Sequence, residues 1–492
     1  MTRAIRTIIR QILLFGFYGF TGVILTLVVV FVLYMNSRAD LNVWHYADLD
    51  EEFTVDSDIS TFEEYLHLED RLFKQLDDEV YAKIPPEQEG IINRYNRGSL
   101  SDPQRWPQNW NRSFELTQSD PEAVVLLLHG MSDSPYSLRN IGQRLHREGA
   151  YVVGLRIPGH GTAPSGLTTV TWQDMAAAVE LAVRHISRVA DGRPLYLVGY
   201  SNGGALAVHY ALRAADKPSL PQITSIALLS PEIGIASAAA LAVWQARLGT
   251  LLGLDKLAWN AILPEYDPYK YGSFAVNAGD VAHKLTTQVQ QQITDLDQKG
   301  KLGNLPPILA FSSIVDATVS APALIGGLFN RIPPGGHELV LFNINLMADI
   351  QPLLKWSPAE MFAALQQKKT HNFTLSAVVN KAEGSANVIY TSQPYGKDNA
   401  LTVDLGLSWP SPMIYSLTHV ALPFPASDPL YGGEGGENSP GIFLGEIALR
   451  GERGVLQIPA DEMLRLRWNP FYPFLEQKIV QFFGLAGSKT SD

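Results

Sequence analysis

The chain is 492 residues long, carries a formal net charge of −11 and contains no cysteine. The negative charge, with no run of Lys and Arg beyond the N-terminus, disfavours binding to nucleic acid, and the lack of cysteine excludes thiol catalysis and zinc sites built on cysteine. The sequence has no Gly-rich phosphate loop and no His/Asp/Glu spacing typical of a metal site, so we expect neither a cofactor nor a bound metal.

The first predicted element is a hydrophobic helix near the N-terminus. Residues 11–36 carry no charge and follow Arg3, Arg6 and Arg10. About 20 apolar residues are needed to span a bilayer as a helix, so the segment is long enough to be a transmembrane anchor. A cleaved signal peptide is the alternative, but residues 36–39 match its small-x-small cleavage site poorly.

The charges on either side of this segment predict its orientation. Three arginines precede it, and five acidic residues follow at positions 40, 48, 50, 51 and 52. By the positive-inside rule the N-terminus is cytoplasmic and the large domain is extracytoplasmic, which would be the inner membrane and periplasm in a bacterium. We therefore predict a single-pass membrane protein whose membrane-proximal region is polar and partly helical.

The first predicted core strand, Ala123–Leu128, ends in a His-Gly loop. This apolar run continues into His129, Gly130 and Met131, and a helix-like stretch follows. A loop between a buried strand and a helix is where an oxyanion hole is expected, with the backbone N–H groups of Met131 and Asn202 as donors. A plain turn in which the glycine only relieves crowding is the alternative.

The most informative motif is Gly199-Tyr200-Ser201-Asn202-Gly203. It follows an apolar run and precedes a helix-like stretch. A sharp turn from a strand into a helix needs small residues on both sides of the turning residue, hence the glycines. Such a turn exposes the Ser201 Oγ at the end of the sheet and points the helix N-terminus at the group that the serine attacks. The pattern in this setting indicates a nucleophile elbow.

These motifs, with Pro158-Gly159-His160-Gly161 after a third strand, resemble the α/β-hydrolase family. The resemblance is to its monoacylglycerol-lipase and lysophospholipase-like branch. It implies an α/β fold with a mostly parallel sheet, helices on both faces and a helical cap, and a triad in the chain order Ser, Asp or Glu, His. We expect His160 to shape the pocket wall rather than to act in catalysis.

Asp316 is the predicted acid of the triad. It lies just past an apolar run and three residues before Val319, which matches the acid position of the resembled family. An aspartate that merely caps a turn is the alternative. Glu232, after an earlier strand, is the second candidate, because some members of the family place the acid there.

His419 is the predicted base. His337 has the usual family separation from Asp316, yet it precedes an apolar run and should lie at the opposite edge of a parallel sheet from Ser201. His419 follows apolar and aromatic residues and precedes a proline-rich loop, which is the family setting of the base. Sheet geometry thus favours His419 over His337 and His371.

Two segments interrupt the strand–helix rhythm. The first, residues 236–302, is apolar and aromatic and lies where the resembled family has its cap, although its side chains could simply pack on the core. The second, residues 346–412, contains strand-like pieces and lies between Asp316 and His419, so we interpret it as an insertion. We therefore divide the chain into a cytoplasmic N-terminus 1–10, a transmembrane anchor 11–36, a membrane-proximal region 37–118, core 119–235, cap 236–302, core 303–345, insertion 346–412, and core with the His loop and a terminal helix 413–485.

Together these expectations describe a membrane-anchored serine hydrolase that acts on carboxylic esters through Ser201, Asp316 and His419. An apolar cap above the serine suits an acyl chain, so the expected substrate is a lipid-like ester. Peptide or thioester hydrolysis by the same triad is one alternative, and a non-catalytic membrane-tethered binding scaffold is another. No nucleic-acid partner is expected, and the sequence identifies no protein partner.

Overall fold

The structure is a computed structural model, and it describes residues 2–234, 254–316, 318–348, 354, 356–367, 371–397, 399–434, 436, 439–446, 459 and 464–485. The strands among these residues are β1 Phe114–Leu116, β2 Ala123–Leu128, β3 Ala150–Leu155, β4 Leu195–Tyr200, β5 Ser225–Leu229, β6 Trp259–Ala261, β7 Phe274–Ala275, β8 Ile308–Ser313, β9 Glu338–Phe342, β10 Thr374–Asn380, β11 Asn387–Gln393 and β12 Leu401–Ser408.

Ten of these strands form one central sheet in the order β1-β3-β2-β4-β5-β8-β9-β10-β11-β12, and β6 pairs with β7. The seven strands from β3 to β10 in this order are parallel, whereas β1, β11 and β12 are antiparallel to their neighbours. Every residue of β2, β3 and β4 is buried, as expected for parallel strands that are covered on both faces.

Helices cover both faces of this sheet, which confirms the predicted fold class. They are α1 Thr2–Ser37, α2 Val43–Tyr46, α3 Phe62–Glu79, α4 Arg139–Arg147, α5 Gly166–Thr169, α6 Trp172–Ala190, α7 Asn202–Asp216, α8 Val276–Gln298, α9 Ala321–Leu324, α10 Pro358–Gln367 and α11 Tyr472–Phe482. Residues of α3, α6, α7 and α8 share one hydrophobic layer with the sheet. Residues of α4 and α11 share the opposite layer.

The membrane-proximal region packs tightly on the core. Its helix α3 begins with a capping box at Thr61 and buries Tyr65, whose hydroxyl donates to the Arg156 carbonyl over 2.7 Å. The buried Arg156 guanidinium forms ion pairs with Glu52 and Glu69, at 2.9 and 3.1 Å. Removing one partner of such a buried pair leaves an uncompensated charge, which costs about 3–5 kcal/mol. This region is therefore part of the folded unit.

The N-terminal helix α1 is attached to the region around β6 through the residue that follows it. Within α1, residues 5–37 are long and apolar enough to cross a membrane. Just after the helix, Arg38 donates to the carbonyls of Lys256 and Trp259, over 2.7 and 2.6 Å. Lys256 in turn donates to Asp40 Oδ1 over 2.7 Å. The end of α1 is thus fixed to the start of β6.

The described part of the predicted cap differs from a purely helical cap. It contains the short pair β6–β7 and then α8, which packs against α6 and α7. Helix α8 thus packs in the same hydrophobic layer as α6 and α7, and the predicted cap bounds 236–302 remain a prediction. The apolar run 238–254 lies, except for Leu254, outside the described residues.

The predicted insertion enlarges the central sheet. Its strand β10 is parallel to β9, and β11 and β12 follow as antiparallel neighbours. The strand-like pieces predicted from the sequence correspond to β10 and β11, whereas β12 was not predicted.

Candidate active site

Ser201 lies at a strained turn between β4 and α7. Its backbone has φ 52° and ψ −118°, a conformation that non-glycine residues rarely adopt. A side chain at Gly203 would collide with the Leu128 carbonyl oxygen, and one at Gly199 would collide with the first turn of α7. The glycines are therefore required by close backbone approach, and the turn has the geometry of a nucleophile elbow.

The loop after β2 lies beside this turn. The Nε2 atom of His129 accepts from the Ile157 N–H over 3.0 Å, and its Nδ1 atom lies 2.9 Å from the Gly130 carbonyl oxygen. Burial and neighbouring positive charges lower the pKa of His129 well below its ordinary value. His129 is therefore a neutral clamp that joins this loop to the end of β3, a role that sequence analysis missed.

Met131 and Asn202, the predicted oxyanion donors, stand on either side of Ser201. Met131 belongs to the loop after β2, and Asn202 is the first residue of α7. The first amides of a helix have no partner within the helix. Both residues lie beside Ser201, and their role as oxyanion donors remains a prediction.

Asp316 follows β8 and is held by its own turn. Its Oδ1 atom accepts from the backbone N–H groups of Thr318 and Val319, both over 2.9 Å. Burial raises the pKa of Asp316, although these two hydrogen bonds oppose the shift. The carboxyl thus has the turn-capping contacts of the alternative interpretation, and the nearby Ser230 hydroxyl also opposes the rise of its pKa.

His419 is the histidine that lies next to this acid. Its Nδ1 atom is 4.0 Å from Asp316 Oδ1, which leaves Nε2 for the serine side. His419 and Ser201 line the same cavity, of about 480 Å3, which we call the Ser201 cavity. Neither a His419–Asp316 nor a His419–Ser201 hydrogen bond is formed in this structure. Burial, with the charges of Lys270 and Arg465, lowers the pKa of His419 to about 3.

The other two candidate histidines lie at the opposite edge of the sheet. His337 Nδ1 accepts from the N–H of Ile308, the first residue of β8, over 3.1 Å. His371 Nε2 lies 2.8 Å from the Leu365 carbonyl oxygen, before β10 begins. The strands place both rings a full strand length from the carboxyl edge that carries Ser201, as the sequence predicted.

Comparison with known proteins gives a family for this arrangement. Residues 119–318 match the family model described as serine aminopeptidase, S33. This match covers less than half of the chain and spans β2 to β8, the His-Gly loop and the elbow. The chain has the α/β-hydrolase fold.

The individual relatives of this chain are distant. A thermostable monoacylglycerol lipase from Bacillus sp. is 29% identical over 92 residues, which cover 19% of this chain and 36% of that protein. An uncharacterized abhydrolase domain-containing protein from Dictyostelium discoideum is 22% identical over 231 residues, or 43% of this chain and 23% of that protein. The chain therefore spans about a third or less of these curated relatives.

Solved structures resemble it at a similar distance. The monoacylglycerol lipase of Paleococcus ferrophilus is 18% identical with a TM-score of 0.35, covering 47% of this chain and 89% of that one. A soluble variant of monoglyceride lipase from Saccharomyces cerevisiae, solved with a substrate analog, is 16% identical with a TM-score of 0.36, covering 47% and 81%.

The wall of the Ser201 cavity combines apolar and charged groups. Its apolar part comes from the β6–β7 region, with Leu263 and Phe274, and from Phe424. Lys270 Nζ lies 3.3 Å from the buried Asp133 carboxylate, which lies on the loop after β2. Sequence analysis missed the charged lining groups, because isolated Lys, Arg and Asp residues give no local signal of a shared cavity. These groups are Asp133, Asp267, Lys270, Arg465 and Arg467.

Glu232, the second candidate acid, lies in this cavity but not beside His419. Its backbone N–H donates to the Ser201 carbonyl oxygen over 3.0 Å. Its Oε2 atom is buried without a partner among the described residues, and burial raises the pKa of the carboxyl to about 7. The contact with His419 is made by Asp316, so Glu232 is the weaker candidate for the acid of the hydrolase.

His160 does not form the pocket wall, which corrects the sequence-based expectation. Its ring is buried and lies 6.4 Å from that of Tyr271, stacked behind it. Tyr271 lines the Ser201 cavity. The histidine therefore supports the wall from one layer further inside. Among the described residues, no group of three or more His, Asp or Glu side chains is placed to hold a metal ion.

Proposed function

We propose that this chain is a membrane-anchored serine hydrolase that cleaves carboxylic esters, most plausibly lipid-like ones. The observation that carries the proposal is a strained serine elbow that shares one cavity with a partly buried, neutral histidine, which in turn faces an aspartate with a buried side chain. A nucleophile next to a base, and a base next to an orienting acid, is the arrangement that makes a serine hydroxyl reactive.

In the proposed reaction, Ser201 Oγ attacks the acyl carbonyl carbon while His419 Nε2 takes its proton. The Asp316 carboxylate then stabilises the imidazolium. The tetrahedral intermediate collapses as the bond to the alcohol oxygen breaks and His419 returns the proton to that oxygen. Water then attacks the acyl carbon while His419 takes its proton. The bond to Ser201 Oγ breaks, His419 returns the proton to that oxygen, and the acid is released.

Met131 and Asn202 are the proposed donors to the oxyanion. Their N–H groups belong to a loop and a helix start that are held on either side of Ser201, so they need no rearrangement as charge develops on the carbonyl oxygen. Each such donor stabilises the transition state by about 3–4 kcal/mol. The positive end of α7 adds to this stabilisation.

The proposed triad must close for turnover. The 4.0 Å between His419 Nδ1 and Asp316 Oδ1 has to shorten to about 3 Å. Catalytic hydrogen bonds are commonly long in free enzymes and tighten when the substrate binds. The Thr418 hydroxyl, which donates to the Leu466 carbonyl, and the Tyr200 hydroxyl, 3.5 Å from the His419 carbonyl, hold the His loop near this position.

Two observations favour a lipid-like substrate. The end of α1 is fixed to β6, and the segment that follows β6 supplies Leu263 to the Ser201 cavity, so the anchor and the cavity wall are directly connected. A second cavity of about 550 Å3 also contacts His419, and on its rim Met413 and Leu464 are each 86% exposed. Exposed apolar side chains around a cavity mark a site for an apolar ligand.

Amide hydrolysis is the second candidate, because the matching family model is described as a serine aminopeptidase. The same triad serves both reactions, and the fold does not distinguish them. A membrane-tethered scaffold without activity has no need of a strained serine, since such strain costs of order 1–3 kcal/mol.

The test is a substrate panel with the full-length protein and its Ser201→Ala variant. We expect hydrolysis of p-nitrophenyl esters with a preference for long acyl chains, much slower hydrolysis of aminoacyl p-nitroanilides, and loss of both in the variant. Faster cleavage of the anilides would replace the ester assignment by a peptidase. Equal rates for the wild type and Ser201→Ala would exclude a serine hydrolase.

A further inference from the structure

Glu232 is a titratable residue of the Ser201 cavity that the proposed mechanism does not use. Its backbone N–H donates to the Ser201 carbonyl oxygen over 3.0 Å, and its side chain forms part of the cavity wall. Asp316 has the place beside His419, so Glu232 is not needed to orient the base. A carboxyl in the same cavity as the nucleophile is therefore available for another role.

The chain before Glu232 forms a strained turn that fixes its position. Ser230 has a φ of 40°, a left-handed conformation that is rare for residues other than glycine. Its N–H donates to the Phe311 carbonyl over 2.7 Å. Pro231 packs so closely on Gly204 that a Cβ atom at Gly204 would lie 2.7 Å from the Pro231 Cβ atom. Backbone strain of this kind is concentrated at functional sites, and here it holds Glu232 beside the elbow.

The Glu232 carboxyl forms no hydrogen bond and no ion pair with the residues that the structure describes. Its Oε2 atom is buried without a partner, whereas the residue as a whole is only partly buried. Oε1 is therefore the oxygen that remains accessible from the Ser201 cavity. Burial raises the pKa of the carboxyl to about 7, and no charge among the described residues opposes this shift. An unpartnered carboxyl costs free energy in the folded protein, and a ligand that donates a hydrogen bond to it offsets that cost.

The charges of the cavity indicate which kind of donor suits Glu232. Lys270 and Arg465 line the same cavity, and their charges lower the pKa of His419, so they oppose the entry of a further cation. An ammonium group is therefore disfavoured. A hydroxyl group is neutral, and it donates to a carboxyl oxygen whether the carboxyl is ionised or protonated. A hydroxyl thus fits both the charge of the cavity and the chemistry of Glu232.

We propose that Glu232 is a specificity-determining residue that binds a hydroxyl group which the substrate carries close to its ester bond. The proposal rests on the proposed ester hydrolysis and narrows its substrate class to hydroxylated esters. The hydroxyl donates to Glu232 Oε1 while Ser201 attacks the carbonyl carbon, so the contact holds the substrate and takes no part in proton transfer. An ester that lacks the hydroxyl covers this carboxyl without giving it a partner, and it therefore binds more weakly.

The test compares esters that differ by one hydroxyl group, with the full-length protein in detergent. One pair carries the hydroxyl on the alcohol: the ethylene glycol monoester of octanoic acid against propyl octanoate. The other pair carries it on the acyl chain: methyl β-hydroxyoctanoate against methyl octanoate. In at least one pair we expect the KM of the hydroxylated ester to be at least about tenfold lower, as one hydrogen bond to the substrate provides, with kcat within a few-fold. The pair that shows this preference identifies the side of the ester bond that carries the hydroxyl.

Variants assign the preference to Glu232. Glu232→Leu should raise the KM of the hydroxylated ester to that of its partner and leave kcat within a few-fold, because the proposed base and acid are unchanged. Glu232→Gln should keep most of the preference, because the amide oxygen still accepts from a hydroxyl. Glu383→Leu is the matched control, since it removes an exposed carboxyl and should leave the preference as in the wild type.

Three results would overturn this role of Glu232. The first is an equal KM for the two members of both pairs in the wild type, and the second is a preference that persists in Glu232→Leu. The third is an equal loss of the preference in Glu232→Leu and Glu232→Gln, because the effect would then depend on the charge and not on a bond to the hydroxyl. Failure to hydrolyse any of the four esters would contradict the proposed ester hydrolysis itself, and this role with it.

Discussion

The two edges of the central sheet hold histidines whose pKa values are both lowered and which differ in what surrounds them. At the carboxyl edge, burial and two cations lower the pKa of His419 to about 3. At the opposite edge, burial lowers the pKa of His337 to about 4. His337 is held by a backbone amide, whereas His419 faces an acid and shares a cavity with a serine. Burial and a shifted pKa therefore do not identify a catalytic histidine; its position along the strands does.

Substituting each of the two histidines in turn tests this contrast, and we expect it to have the largest effect on kcat. His419→Gln should lower kcat for an ester by about 10⁵–10⁶-fold, because the proposed base is lost. His337→Gln should leave kcat within a few-fold and lower the free energy of unfolding by about 1–3 kcal/mol, because the Ile308 N–H loses its buried acceptor. The measurements are steady-state kinetics and chemical denaturation. Loss of kcat in a folded His337 variant would reverse the assignment of the two edges.

The next largest effect distinguishes Asp316 from Glu232, the two candidate acids near Ser201. Asp316→Asn should lower kcat by about 10⁴-fold, since the imidazolium of His419 loses its stabilising charge. Glu232→Gln should change kcat by less than tenfold, because its carboxyl has no contact with His419. Steady-state kinetics on one ester measures both variants. The opposite ranking would make Glu232 the acid.

Much of the carboxyl edge of the sheet was predictable from the sequence, because short motifs there indicate the turns. The glycines at 199 and 203 around Ser201 indicate a turn in which backbone segments approach closely. Asp316 directly follows its strand. His419 was predicted from strand direction and from its setting, which resembles that of the base in the family. The Lys270–Asp133 pair and the role of His129 were not predictable, because each depends on residues far apart in the chain. The sequence analysis missed β12, although its apolar residues alternate with polar ones; most of its residues are exposed, so it is an edge strand and not part of the buried core.

Glu232 gives a smaller effect that depends on pH. Its pKa of about 7 in the folded protein exceeds the ordinary 4.5. The folded state therefore holds this proton more tightly, so wild-type stability falls as pH rises from 4.5 to 7. Glu232→Gln removes this loss and should raise the free energy of unfolding by up to about 3 kcal/mol at pH 8, with little change at pH 4. Denaturation at both pH values measures it.

The exposed Glu383 provides the control for this experiment. Glu383→Gln should leave the stability unchanged at both pH values. If Glu232→Gln changed the free energy of unfolding equally at pH 4 and pH 8, the Glu232 carboxyl would not be held in its protonated form by burial.

The smallest effect concerns the link between α1 and the wall of the Ser201 cavity. Arg38→Gln removes the donors to the Lys256 and Trp259 carbonyls. It should reduce hydrolysis of a long-chain ester in vesicles by less than about tenfold, a change below 1.4 kcal/mol, and leave a soluble short-chain ester unaffected. Arg184→Gln, in an exposed pair on α6, is the control. An equal loss on both substrates would separate the anchor from substrate delivery.

Labelling with a fluorophosphonate probe tests the central claim most directly, because the probe forms a covalent bond only with a serine that a neighbouring base activates. Mass spectrometry should find one adduct, on the peptide that contains Ser201, in the wild type and in His337→Gln. It should find none in Ser201→Ala and labelling slowed by several orders of magnitude in His419→Gln. An adduct on another serine, or labelling of His419→Gln at the wild-type rate, would contradict the proposed active site.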